Sequence, residues 1–112
     1  MDFSENRPIY LQIADAIQEN ILSGGLKADD RIPSVREYGA AIGVNPNTVM
    51  RVYEILTNEG VIYNKRGIGY FVSADACEKI LAAKKAEFIE RQVPVIKRHL
   101  KLLGLDSTIF ND

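Results

Sequence analysis

Apolar residues recur along this chain with two periods, and the place where the period changes divides it. Ile9, Ile13, Ile17 and Ile21 fall every fourth residue, with Ala14 and Leu22 beside them. That spacing predicts an amphipathic first helix with one stripe turned to a core. Pro8 suits its first position, where the absent N–H would have no partner anyway. Gly24 and Gly25 suit its end. Residues 27–33 read as a turn and linker. Ser34 and Glu37 have the spacing of a capping box, so a second, short helix opens there and stops near Gly43. Asn45 and Pro46 repeat the start signal. Val49, Val52, Tyr53 and Leu56 then fall at i, i+3, i+4 and i+7, giving a third helix one buried face, and Gly60 closes it. Residues 61–63 and 70–72 are strand-like, with 65–69 as the hairpin loop between them.

After Val72 the pattern is helical alone. Leu81, Phe88, Val95 and Leu102 are spaced by seven, and Cys77, Gln92, Ile96 and His99 fill neighbouring positions. A repeat of seven marks a helix that packs along another helix. Pro94 removes one backbone hydrogen bond and crowds the preceding turn. The apolar phase is nevertheless the same on both sides of it, which predicts one bent helix rather than two. Gly104 ends this helix, and residues 105–112 form a short tail. The predicted architecture is mainly α with a small β-hairpin: an N-terminal winged helix-turn-helix over residues 7–75 and a C-terminal helical dimerisation region over residues 76–112.

Composition narrows the classes. With 112 residues, 46% of them hydrophobic, the chain can bury one modest core and an extra element. The single cysteine, Cys77, permits no internal disulfide and no cysteine metal cluster. No apolar run approaches a membrane span, and residues 1–6 have neither the basic start nor the apolar stretch of a signal peptide. A cytoplasmic protein without membrane contact is expected. The net charge of −1 hides an uneven distribution. Residues 1–30 carry −4, whereas residues 31–73, with five cations against three carboxylates, carry +2. The positive excess therefore lies on the predicted helix-turn-helix and hairpin, where phosphates would lie.

The face of the third helix opposite its buried stripe is made by Asn47, Arg51, Glu54 and Asn58, flanked by Thr48 and Met50. The N-terminal end of a recognition helix enters the major groove, which brings Asn47, Thr48, Met50 and Arg51 nearest to base edges. Asn can pair bidentately with adenine and Arg with guanine. Arg36, one turn into the preceding helix, points to the same groove. Lys65 and Arg66 on the wing are candidates for phosphates or the minor groove, and Gly67 lets backbone come close. Ser34, a cap or a phosphate ligand, and Asn45 complete the candidate DNA-binding set. Leu81, Phe88, Val95, His99 and Leu102 are the candidate dimer interface. His99 and Cys77 lie about six turns apart, too far to share a metal within one chain. No paired carboxylates, phosphate cradle or His–Cys arrangement points to catalysis, and no cofactor is implied.

Residues 8–13 (Pro-Ile-Tyr-Leu-Gln-Ile), 32–36 (Ile-Pro-Ser-Val-Arg), 43–49 (Gly-Val-Asn-Pro-Asn-Thr-Val), Tyr53, Glu59-Gly60 and 67–72 (Gly-Ile-Gly-Tyr-Phe-Val) together resemble the GntR family of bacterial transcription regulators. The start of the third helix and the short helical tail are most similar to its YtrA-like subfamily. The resemblance implies operator binding by the winged helix and dimerisation by the C-terminal region. It also implies DNA contacts at Arg36, Asn47, Thr48 and Gly67. Some forty residues after the wing are too few for the large effector domain of many members, and no residue identifies a small-molecule effector. Two departures bear on base preference: Pro46 stands where arginine is frequent, and Met50 where a basic residue is. Ile32 replaces the usual leucine. The expected function is a homodimeric, sequence-specific regulator, a repressor, on a near-palindromic double-stranded operator. The alternative is a winged-helix protein-interaction module without sequence-specific DNA binding, and an enzyme is the third reading.

Overall fold

The computed structural model describes residues 7–111. Residues 1–6, the segment weighed as a signal peptide, lie outside them, as does Asp112. Helices α1 (Ile9–Leu22), α2 (Val35–Ile42) and α3 (Pro46–Asn58) are followed by the hairpin β1 (Ile62–Lys65) and β2 (Gly69–Val72). Next come α4 (Ala76–Glu87), a π turn (Phe88–Gln92), α5 (Val93–Leu103) and a 3-10 turn (Ser107–Phe110). The chain forms two compact units, one ending at Ile80 and the other beginning at Leu81.

In the first unit α1 and α2 pack against α3, and β1 packs against it from the wing side. Ile13, Ile17, Ile21, Ile32, Val49, Val52, Tyr53, Leu56, Ile62 and Val72 are buried together. The apolar stripe of α1 is one residue shorter than its spacing suggests, because Ile9 is 54% exposed. Four-residue spacing gains about 40° per step on a 3.6-residue turn, so the stripe drifts off the core at the open end. Pro8 is the residue that caps α1 rather than its first helical position. The unit also runs beyond the predicted boundary at 75, since Ala76 and Ile80 of α4 are buried in the same core. Their burial in that core outweighs the change of pattern after Val72.

The hairpin is tighter than its sequence suggests. Lys65 pairs with Gly69 as the last rung, leaving a loop of residues 66–68, closed by the Ile68 N–H donating to the Lys65 carbonyl at 2.9 Å. Arg31 of the linker adds an isolated bridge to Phe71, so the linker meets the two-stranded wing along its β2 edge.

The second unit is helical, with Gly104 ending α5 in the left-handed conformation. Around Pro94 the helix absorbs the missing donor by widening: the Val93 N–H donates to the Phe88 carbonyl, five residues back. The π turn corrects the expectation of an unbroken phase. One residue added to a turn rotates the rest of the helix by about 100°. The line that runs through Leu81 and Phe88 therefore continues at Ile96 and Leu103, spaced by eight and then seven, while Val95, His99 and Leu102 turn aside from it.

Candidate nucleic-acid interface

The recognition surface is set by two caps. Ser34 Oγ accepts from the Glu37 N–H at 3.1 Å, and Glu37 Oε1 accepts from the Ser34 N–H at 3.1 Å. The negative form of Glu37 is the better acceptor, so its pKa is held below the usual glutamate value by the Ser34 backbone and side chain, with Arg31 adding to the effect. At α3, Asn45 Oδ1 accepts from the Asn47 N–H at 2.8 Å, with Pro46 in the first turn. Both cap oxygens are thus engaged locally, which makes Ser34 and Asn45 first of all the residues that aim α2 and α3.

Between the two helices the chain turns at Gly43, but the close approach is made by Gly39. A Cβ there would stand 2.7 Å from the Val44 carbonyl oxygen. Only glycine lets the buried middle of α2 meet the turn that leads into α3. Its signal in the sequence is a glycine inside a helical stretch, which apolar spacing does not register. Tyr53 then ties the assembly together. Its hydroxyl donates to the Pro33 carbonyl at 2.7 Å, next to the cap of α2, and its ring meets Tyr38 and Tyr70 at 6.3 and 5.0 Å. Burial foremost, and the neighbouring tyrosines, push its pKa up, so it stays a neutral donor.

On that frame α3 is two-sided. Val49, Val52, Tyr53 and Leu56 have no exposed surface, while Asn47, Met50, Arg51, Glu54 and Asn58 are exposed and Thr48 is half-buried. Arg36 is exposed on α2. The polar set expected on α3 from its spacing is therefore brought to one outward face. Arg51 is more constrained than its position suggests: its guanidinium carbon lies 3.8 Å from the centroid of the Tyr10 ring on α1.

The wing separates its two cations. Tyr63 and Phe71 stack at 5.7 Å on its outer side, and Lys65 Nζ lies 4.7 Å from the Phe71 ring centre. Lys65 is therefore drawn along the hairpin, and Arg66 is the cation of the loop. Gly67 has φ +78°, with open space around it, so the loop needs glycine for its backbone rather than for room. Arg31, which is not among the residues expected from the sequence, lies against the wing, with Nε 3.1 Å from where a Gly69 Cβ would stand. Nothing in the one-dimensional pattern marks it. The bridge to Phe71 brings it there.

In the second unit Leu81, Phe88, Val95 and Leu102 are all exposed, at 44%, 46%, 38% and 75%. His99 is exposed as well. Among the described residues no group of three or more His, Cys, Asp or Glu side chains could hold a metal ion, and no helix is long and apolar enough to cross a membrane.

Known proteins share this arrangement. Residues 9–72 match the bacterial regulatory proteins of the gntR family. The HTH-type transcriptional repressor YtrA of Bacillus subtilis is 37% identical over 107 residues, covering 96% of this chain and 76% of its own. A GntR-family transcriptional regulator from Bacteroides thetaiotaomicron superposes with a TM-score of 0.80 at 47% identity, over 92% of this chain and 89% of its own. The DNA-binding domain of AraR, crystallised with operator ORR3, superposes with a TM-score of 0.59 at 27% identity, over 65% of this chain and 88% of its own. The family and these relatives are regulators rather than enzymes. The matched span takes in both caps, the recognition helix and the wing, and the likeness to YtrA extends through the helical tail: the chain belongs to the GntR family of DNA-binding transcriptional regulators, in its YtrA-like branch.

Proposed function

We propose that this protein is a cytoplasmic, homodimeric repressor whose two winged helices occupy the half-sites of a near-palindromic operator. The two-sided character of α3 carries the reading: one face is wholly buried, and the other presents Asn47, Arg51 and Asn58 to solvent. Residues 7–75 bind DNA in this reading. Asn47, Thr48, Met50 and Arg51 meet base edges, while Ser34, Arg36, Asn45, Lys65, Arg66 and the backbone at Gly67 hold phosphates or the minor groove. The operator complex of the AraR domain supports a DNA partner, and the name of the Bacillus YtrA supports repression.

Within residues 76–112, the part from Leu81 onward dimerises in this reading, since Ala76 and Ile80 belong to the core of the first unit. Two half-sites on one face of DNA call for a twofold protein, and the exposed apolar side chains of the second unit, from Leu81 to Phe110, exceed what scattered surface residues explain. Leu81 and Phe88 are proposed contacts, with Ile96 and Leu103 continuing their line beyond the π turn, and Val95, His99 and Leu102 are proposed to flank that line on the adjoining face. Incubating the purified protein with fragmented host DNA and sequencing what it retains tests the reading. Enrichment of one near-palindromic sequence is expected. Recovery of no enriched sequence would overturn it in favour of a winged-helix module that binds a partner protein.

A further inference from the structure

Arg51 lies on the exposed face of α3, yet its guanidinium does not stand alone in solvent. It stacks at 3.8 Å over the ring of Tyr10, which belongs to another helix, and among the described residues it has no carboxylate partner, Glu54 included. Stacking engages the flat face of a guanidinium and leaves its N–H donors free in the plane. Tyr10 is itself well held. It is half-buried and packs against the core in the first turn of α1, and that turn is fastened by the Gln12 Nε2 donating to the Arg7 carbonyl at 2.7 Å and by Arg7 paired with Asp15 at 3.0 Å. Ile13 and Ile17 on the next turns are buried. A long, rotamer-rich cation is thus laid on a fixed aromatic platform while its residue stays exposed to solvent.

We propose that Tyr10 is a positioning residue for DNA reading: it pre-orders Arg51 so that the guanidinium edge meets a guanine of the operator without first losing rotamer freedom. This rests on the reading that α3 faces DNA. Tyr10 acts through Arg51 and is not itself a base contact, and the ring, not the hydroxyl, is the working part. Replacing the ring by an aliphatic chain of similar reach therefore removes the effect, whereas phenylalanine retains it.

The test is a double-mutant cycle on the selected operator, on operators altered one base pair at a time, and on unrelated DNA. Arg51→Ala is expected to lose discrimination at one G·C pair. Tyr10→Leu is expected to bind the operator about tenfold more weakly with the loss confined to that same pair, and Tyr10→Phe to stay within about twofold of the parent. In the Arg51→Ala background Tyr10→Leu should cause no further loss. The DNA-free protein gives an independent readout, since a ring over Arg51 shifts its Nε–H proton resonance. That shift should persist in Tyr10→Phe and vanish in Tyr10→Leu. An unshifted resonance in the parent overturns the stack even if Tyr10→Leu does not fold. Additive losses, or Tyr10→Phe as weak as Tyr10→Leu, overturn the positioning role while leaving the DNA reading intact. A parent that enriches no sequence overturns the DNA reading and this role with it.

Discussion

In the first unit Val49, Val52, Tyr53 and Leu56 are sealed from solvent by α1, α2 and the hairpin, whereas every residue from 81 to 111 keeps part of its surface in solvent. The two units have similarly apolar stripes and opposite fates. The winged helix turns its stripes on one another, so each helix supplies the others' non-polar surroundings. The tail has one helical path and a short turn, and a lone path has nothing to fold its stripe against. Stability of the first unit is therefore a property of one chain. Order in the second unit, in the proposed dimer, depends on protein concentration.

The sharpest way to break this comparison is to delete the same side chain from each unit. Leu56→Ala, which empties a wholly buried site, should lower unfolding stability by about 2–5 kcal/mol. Leu102→Ala, at a site 75% exposed, should leave thermal unfolding of the winged helix nearly unchanged. Equal losses in calorimetry would mean that the two units share one core.

Phe88→Asp should come next in size. A carboxylate forced into an apolar contact is strongly unfavourable, so the variant should sediment as a monomer at tens of micromolar, roughly where the parent is expected to be dimeric. Its operator affinity should fall while its winged helix stays folded. A parent that is itself monomeric there, without DNA, would reopen the tail as a docking site for another protein.

On the DNA side, Asn47→Ala should weaken specific binding by roughly 1–3 kcal/mol and leave non-specific binding nearly intact. Gel-shift titration against selected and unrelated fragments distinguishes these, and equal binding of the operator by parent and variant would mean that α3 is turned the wrong way. Gly67→Val should reduce affinity with little loss of structure. Its φ of +78° is strained for a β-branched side chain, although the surrounding space is open. Unchanged affinity would show that the loop does not approach DNA.

The smallest effect concerns pH. The folded pKa of Glu37 is depressed by the capping box, so its stabilising contribution is complete above its ordinary value of 4.5 and is lost as pH falls through the lowered folded value. The stability difference between parent and Glu37→Gln, measured by urea unfolding, should therefore be constant near neutrality and shrink in acid. A difference that held steady through acid would argue that the carboxylate charge contributes nothing at the cap.

The two caps, the buried face of α3, the outward polar set at Asn47 and Arg51, and the helix ends at Gly43, Gly60 and Gly104 were all legible in the residue pattern. Each depends on neighbours within a turn or two, so local spacing is enough to specify it. Contacts between distant segments left no such mark. Gly39 against the Val44 carbonyl, Arg31 bridged to Phe71, the Tyr53 hydroxyl on Pro33 and the Tyr10 ring over Arg51 exist only once α1, the linker and the wing are laid around α3. The seven-residue stripe of the tail shows how local reading can mislead, because it presumes an unbroken α-helix and Pro94 draws in a π turn that redirects half of it. Sequence by itself determined which segments are helix or hairpin and which face of each is apolar, through hydrogen bonds and periodicities that act along the chain. Tertiary structure alone decided which polar side chains are braced and where they point, since a side chain's freedom is limited by what other elements place beside it.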